Sequence, residues 1–344
     1  MILDQLSNAP GVSGNEEPVR QIILKAIKPH VDEWRVDTLG NVLALKKAAP
    51  GAPAFKVMLD AHMDEVGLMI TGHDSSGGLR FKTVGGIDAR ILPGKSLRIG
   101  PDQIPGVIGA KPIHLTDERE ENQVVKVEAM LIDIGASSRE EAEKAVEIGQ
   151  YANFATRYRR LGRVVTGKAF DDRAGCAVLV ELLSRERFNF ELHAAFTVQE
   201  EVGLRGARVA AFAIEPDCAF ILEGTVCDDL PKDKDLSPTT ELGKGPAISI
   251  MDRSLFVSRP MLDHVVNTAK AAGIPYQFKQ PGIGGTDGGA TTRSKAGVPS
   301  LPVSVPCRYI HSPVSMMALA DFRNTVRLMR ESLARLTPDV VRNA

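Results

Sequence analysis

The chain has 344 residues, 42 of them basic and 43 acidic, with a formal net charge of −1. That length supports one large or two medium domains with an ample core, and the near-neutral balance, without a Lys/Arg cluster or an aromatic ladder, excludes nucleic acid as the main partner. No basic stretch followed by an apolar one opens the chain and no apolar run is long enough to cross a bilayer, so no membrane association and a cytoplasmic location are expected. The four cysteines, Cys176, Cys218, Cys227 and Cys307, make no C-x-x-C and are expected to be core thiols.

In the first third, Val19, Ile22, Ile23, Ala26 and Ile27 recur at i, i+3, i+4, i+7 and i+8, which predicts an amphipathic helix with Pro18 in its first turn. WRVD and NVLALKK, on either side of Thr38-Leu39-Gly40, predict a hairpin. FKVMLD predicts a buried strand running into AHMDEVG, which sets His62 two residues before Asp64. Over residues 68–163 short β-rich runs (LMITG, LRFKTV, SLRIG, GVIGA, VVKVEAMLIDIG) alternate with turn signals. One helix interrupts them, REEAEKAVEIG, behind a capping box from Ser138 to Glu141. A β-barrel-like inserted domain over 68–163 is therefore expected, splitting an α/β domain into 1–67 and 164–344.

After Gly162, VVTGKAFDDRAG brings a short strand to Asp171-Asp172, before a helix with Cys176, Leu179, Val180 and Leu183 on one face. An apolar run from Phe190 to Val198 delivers the adjacent carboxylates Glu200 and Glu201, and a helix is expected from about Arg205. CAFILEGT predicts a strand ending at Glu223. Met261, Leu262, Val265, Val266 and Ala269 mark a helix that stops at Gly273. Strand YQFK, the loop PGIGGTDGGATT around Asp287, strand LPVSV and the turn CRYIHS with His311 follow. The last helix carries Phe322, Val326, Met329, Leu333 and Leu336 in a core stripe.

His62, Asp171, Glu201, Glu223 and His311 all fall at or just past predicted strand ends, where ligands gather in open α/β sheets. Singly each has a plainer reading, as a satisfied core histidine, a helix N-cap, a loop acid or a turn residue. Together, two imidazoles and three carboxylates make a mixed N/O donor set suited to zinc or a neighbouring divalent ion, with one further carboxylate left as a base. Asp64 is placed to accept the second N–H of His62 and fix its coordinating tautomer. The glycine loop lacks the spacing of a phosphate loop.

AHMDEVG, GKAFDDRAG, QEEVGLRGA, GGTDGGA and RYIHS, in this order, resemble the motifs of the glutamyl-aminopeptidase family of dinuclear metallopeptidases, which includes the tetrahedral (TET) aminopeptidases. The similarity covers nearly the whole chain, since GGIDARILPGKSLRIG, GVIGAKPIHL and IDIGASS resemble the family's dimerisation domain. The resemblance implies a zinc-peptidase-type mixed sheet flanked by helices. It also implies two divalent ions per subunit, Zn2+ or else Co2+, and removal of N-terminal residues from short peptides through a metal-bridging water. Carried over position by position, His62 and Glu223 would hold one ion, Glu201 and His311 the other, and Asp171 would bridge both. Glu200 would be the general base, with Asp64 as the catalytic partner of His62.

Two positions are open at this stage. Relatives with Asp-Asn favour Asp171 as the bridge over Asp172, and Glu223 stands where many relatives have Asp. Arg308 and Asp228 are candidates for the substrate side-chain pocket. The resemblance further implies dimers that assemble into a tetrahedral dodecamer. An endoglucanase-type glycoside hydrolase is the rival enzyme reading, because some relatives carry that label. The two histidines and the scarcity of stacking platforms, one Trp and four Tyr, speak against it. A non-catalytic self-assembling scaffold would be favoured by loss of a ligand or the base, and none is lost.

Overall fold

The structure is a computed structural model that describes residues 2–117, 123–185, 187–231 and 239–342. Among these, no helix is long and apolar enough to cross a membrane. The fold is mixed α/β. A large mixed sheet runs, in spatial order, through Glu33–Val36, Val42–Lys46, Glu191–Thr197, Lys56–His62, Cys218–Cys227, Ser300–Arg308, Ser315–Ala318, Val164–Gly167 and Arg159–Leu161. The short strands Ala247–Ile248 and Gln277–Phe278 flank it.

Its centre is parallel: Glu191–Thr197 and Cys218–Cys227 both run alongside Lys56–His62, and Ser300–Arg308 runs alongside Cys218–Cys227. Parallel strands covered on both faces read as continuous apolar runs, and alternate residues of Lys56–His62 show why. Val57, Leu59 and Ala61 pack into the core that holds the helix Phe170–Leu183, while Met58 packs against Ala210, Ala211 and Ile214 of the helix Arg205–Ile214. This layering brings the carboxyl ends of the central strands to one edge.

Residues 67–154 include a closed six-stranded barrel, in the order Gly67–His73, Leu79–Val84, Ile132–Asp133, Ile104–Ile108, Ser96–Ile99 and Tyr151–Phe154. Leu68, Ile70, Leu79, Phe81, Leu97, Ile99, Ile108 and Ile132 fill its separate core. Three local expectations differ from the structure. VVKVEAMLIDIG gives the sheet only Ile132–Asp133, because Val127–Ala129 closes into a 3-10 turn. Tyr151–Phe154, not expected as a strand, completes the barrel. The strand read as ending at Glu223 continues to Cys227, held by full pairing with Ser300–Arg308.

The capping box divides its bonds: Ser138 Oγ accepts from the Glu141 N–H at 3.3 Å, while Glu141 Oε2 accepts from the Ser137 N–H at 2.7 Å. The helix Ile2–Asn8, also not expected, is anchored by buried Leu3 and Leu6. All four cysteines are buried and free.

Candidate active site

His62 is the last residue of its strand. Glu200 and Glu201 follow Thr197 in a turn, Asp171 follows Gly167, and His311 follows Arg308. Glu223 sits inside its strand. The pairing of Cys218–Cys227 with Lys56–His62 ends at Ile221, opposite Asp60, so Glu223 lies where that flank opens. Gln199, Ala169 and His311 all have left-handed backbone, with φ of 56°, 57° and 56°. Such strain is held in place by surrounding structure and gathers at functional sites. Gly224 is needed for close approach: a Cβ there would stand 2.8 Å from the Phe170 carbonyl oxygen and 2.9 Å from the Asp171 Cα. Only glycine lets the segment carrying Asp171 lie directly on the strand carrying Glu223.

The Asp171 carboxylate spans two imidazoles. Its Oδ1 is 3.3 Å from His62 Nε2 and its Oδ2 is 3.5 Å from His311 Nε2, which is in turn 3.4 Å from Glu201 Oε1. The other nitrogen of each ring faces an acceptor: His62 Nδ1 lies 3.4 Å from Asp64 Oδ1, and His311 Nδ1 donates to the Gly86 carbonyl at 2.9 Å. Both Nε2 atoms are thereby turned toward the carboxylates. Asp64, fully buried, does more than face the imidazole. Its Oδ1 accepts from the Glu200 N–H at 3.0 Å, and its Oδ2 accepts from the Glu201 N–H at 3.1 Å and the Ser13 hydroxyl at 2.6 Å.

Asp172 has a different environment from its neighbour. Its Oδ1 accepts from the Gly175 and Gly224 N–H groups at 2.8 and 3.0 Å, and its Oδ2 from the His62 N–H at 3.1 Å. Backbone donors thus occupy Asp172 while Asp171 faces the histidines.

His62, Asp171, Glu200, Glu201, Glu223 and His311 line one cavity of about 530 Å³. Neither Arg308 nor Asp228 lines it, and Arg308 pairs with Asp229 at 2.6 and 2.9 Å. Asp287 lies behind the cavity. Its carboxylate accepts from the Thr197 hydroxyl at 2.7 Å, and its N–H approaches Glu223 Oε1 at 3.4 Å. Sequence reasoning missed the Gly86 carbonyl, which no side-chain motif could reveal. It also missed Lys279, another residue of the cavity wall, whose signal was its place as the last residue of the expected strand YQFK, just before the glycine loop.

Crowded acids explain the electrostatics. Burial, together with neighbouring carboxylates, pushes Glu200 and Glu223 well above the usual carboxylate range, and burial lifts Glu201 to about 7. Burial opposes the charged form of His311, but its bond to Asp171 and the charge of Glu201 outweigh it and raise the ring to about 10. Burial likewise opposes the charge of Asp171, yet His311 and His62 hold its carboxyl well below the ordinary value. Such a site favours added positive charge.

The donor set fits a divalent cation. Ligand atoms around a tetrahedral zinc at roughly 2.0–2.1 Å stand about 3.3–3.4 Å apart, close to the spacing of Asp171, Glu201 and His311. Their ligand atoms all lie within 4.8 Å of one another.

Imidazole and carboxylate donors over the carboxyl ends of a parallel sheet define a metal-dependent hydrolase. The chain belongs to the M42 glutamyl aminopeptidase family, whose model matches residues 40–328. It is a peptidase of the aminopeptidase class, and its family is one of divalent-metal enzymes. The lysyl aminopeptidase of Pyrococcus furiosus is 34% identical over 346 residues, covering 98% of this chain and 97% of the relative. A TET aminopeptidase from the Thaumarchaeota archaeon SCGC AB-539-E09 superposes with a TM-score of 0.94 at 36% identity, covering 99% and 98% of the two chains. The TET1 peptidase of Pyrococcus horikoshii, which can assemble into a tetrahedron or a large octahedral shell, gives 0.86 at 36%, covering 97% and 99%.

Proposed function

We propose that the chain removes N-terminal residues from short peptides with two divalent ions, zinc in the first instance. His62 and Glu223 would hold one ion and Glu201 and His311 the other, with Asp171 placed to serve both. The single observation that carries this reading is the Asp171 carboxylate, whose two oxygens face the Nε2 atoms of two different histidines. When bound, the ions supply a polarised scissile carbonyl and a water of lowered pKa.

Glu200 takes the proton of the attacking water and delivers it to the leaving amine, the work of a general base and then acid. It is suited to that role because it borders the cavity while Asp64 fixes its backbone. Asp64 holds His62 in one tautomer and sets the Glu200–Glu201 turn against it. The free α-amine of the substrate meets the acidic end of the cavity, so an acylated terminus loses the attraction that orients it.

Glu200→Gln and Glu201→Gln, compared across a metal titration, test these roles. Glu200→Gln should keep its metal and lose roughly 10²–10⁴-fold in rate. Glu201→Gln should lose metal and regain part of its activity at high metal concentration. Metal depletion of Glu200→Gln alone would reverse the assignment.

The barrel, over 68–163, is the dimerisation domain in this reading, set into a catalytic domain of 1–67 and 164–344. Six dimers close into a tetrahedral dodecamer, in keeping with the closed symmetry general among oligomers and with the shells formed by the Pyrococcus horikoshii relative. Light scattering that finds only active monomer at micromolar concentration would refute the assembly.

A further inference from the structure

The turn that carries Glu200 and Glu201 is held by side chains rather than by a sheet or a helix. Successive N–H groups donate to residues distant in sequence: Val198 to Asn41 Oδ1 at 3.0 Å, Gln199 to Glu16 Oε1 at 3.2 Å, and Glu200 and Glu201 to the two oxygens of Asp64 at 3.0 and 3.1 Å. Asp64 follows the strand that ends at His62, but Glu16 comes from the start of the chain. Glu16 is 4% exposed. A carboxylate so deeply placed needs hydrogen-bond donors, and its Oε1 finds them in main-chain N–H groups, of Gln199 and, at 2.7 Å, of Gly14.

Glu16 stands at the N-cap position of the helix Glu17–Ile27, yet its side chain does not cap that helix. The loop before it is pinned to the site. Val12 forms a bridge with Glu65, the Ser13 N–H donates to the Glu65 carbonyl at 3.3 Å, and the Ser13 hydroxyl donates to Asp64 at 2.6 Å. Gly14, with φ of 90°, closes the loop against the barrel strand Tyr151–Phe154, where a Cβ would stand 2.6 Å from the Tyr151 hydroxyl. Glu16 thus reaches Gln199 from a fixed base. Gln199 has left-handed backbone, with φ of 56°, which a residue with a Cβ keeps only where its surroundings enforce it. A return to ordinary backbone there would swing the next residue, Glu200, whose side chain borders the cavity.

We propose that Glu16 is a positioning residue that, through the N–H of Gln199, sets the Glu200 carboxylate over the cavity. This rests on the aminopeptidase reading with Glu200 as general base. Asp64 fixes the amides of Glu200 and Glu201, and Glu16 fixes the approach of the chain to them, so the two carboxylates divide one turn. The hold depends on reach rather than charge. Burial raises the Glu16 carboxyl above its usual range, and an acceptor oxygen remains in either protonation state, so the amide of glutamine can take its place.

The test uses the zinc-loaded full chain with the p-nitroanilides of Leu, Lys and Glu. Glu16→Ala should lower kcat about 10- to 100-fold, the cost of misplacing a catalytic group by up to about 1 Å, with KM and bound zinc within about twofold of wild type. In a Glu200→Gln background the same change should cost less than about threefold, since a residue that acts through the base has nothing left to position. Glu16→Asp keeps an N-cap residue for the helix but shortens the reach, so it should reproduce the loss and carries the cycle should Glu16→Ala not fold. Glu16→Gln, at full reach, should stay within about threefold of wild type. Amide hydrogen exchange should quicken over residues 197–204 in Glu16→Asp and stay unchanged over the barrel. Equal losses in the wild-type and Glu200→Gln backgrounds, a loss expressed in KM or zinc content, or equal losses in Glu16→Gln and Glu16→Asp would overturn the assignment. If wild type cuts no substrate while exchange over 197–204 still quickens in Glu16→Asp, the aminopeptidase reading fails and the hold of Glu16 on the turn stands. Unchanged exchange there would remove the hold itself.

Discussion

Replacing Asp64 with Asn tests whether one buried carboxylate holds the two halves of the site together. Its oxygens receive the N–H groups of Glu200 and Glu201 at 3.0 and 3.1 Å and the Ser13 hydroxyl at 2.6 Å, and Oδ1 faces His62 Nδ1 at 3.4 Å. An amide of the same shape offers one acceptor oxygen and one NH2. With the NH2 toward Glu200, a donor meets the Glu200 N–H and the His62 ring loses its acceptor. With the NH2 toward Glu201, that N–H is opposed instead, while the Ser13 hydroxyl can rotate to accept. Either way a charge-assisted bond worth about 1.5–3 kcal/mol is lost and a buried N–H is orphaned at about 1–3 kcal/mol. Partial relaxation should leave a net destabilisation of about 2–4 kcal/mol. Loss of the partner behind a metal-binding imidazole also lowers metal affinity about 10- to 100-fold. Urea unfolding of the apo protein reads the first effect, and competition with a fluorescent zinc chelator reads the second. Because Glu200 moves as well, kcat at saturating metal should remain depressed, whereas Ser13→Ala should show a smaller version of each change. Metal affinity within twofold of wild type, with stability unchanged, would refute the reasoning.

Three further outcomes are expected. Gly224→Ala places a methyl at 2.8–3.0 Å from the backbone of Phe170 and Asp171. Displacing Asp171 by even 1 Å should lower kcat/KM about 10²-fold, and an unchanged value would show that the contact yields freely. Glu65→Gln removes the partner of two buried cations, Lys168 at 2.6 Å and Arg173 at 3.1 Å, and should cost about 3–5 kcal/mol in urea unfolding. A loss below about 1 kcal/mol would mean that the remaining carbonyl contacts suffice. Chelation should abolish activity and lower Tm, because the crowded carboxylates lose their counter-charge, and added zinc should restore both. A Tm that ignores chelator and zinc alike would argue against an ion at this site.

Much of this architecture was legible from local pattern. The central strands are continuous apolar runs, the outer helices keep a 3.6-residue stripe, and the H-x-D spacing of His62 and Asp64 anticipates their facing pair. What was hidden depends on contacts distant in sequence. Asp171 and Asp172 are chemically alike, and only the N–H groups of His62, Gly175 and Gly224 converging on Asp172 distinguish them. The Glu65–Lys168–Arg173 cluster joins residues about a hundred positions apart. Tyr151–Phe154 escaped because YANF has no β-branched residue and little alternation, and its strand character comes from pairing with Gly67–His73 and Ser96–Ile99. The length of the strand through Glu223 likewise follows from its partner rather than from its own composition.

The bond from His311 to the Gly86 carbonyl makes the barrel more than an exchangeable module. Gly86 follows the barrel strand Leu79–Val84, so a main-chain atom supplied from the end of a barrel strand sets which His311 nitrogen is turned inward. Among the described residues, the rest of the barrel makes no such contact with a site residue. The short run around Gly86 is constrained, because any change that moves it rotates an imidazole carried by the large sheet. The sequence of the barrel elsewhere can thus drift while this one loop stays under the selection that governs the chemistry of the site.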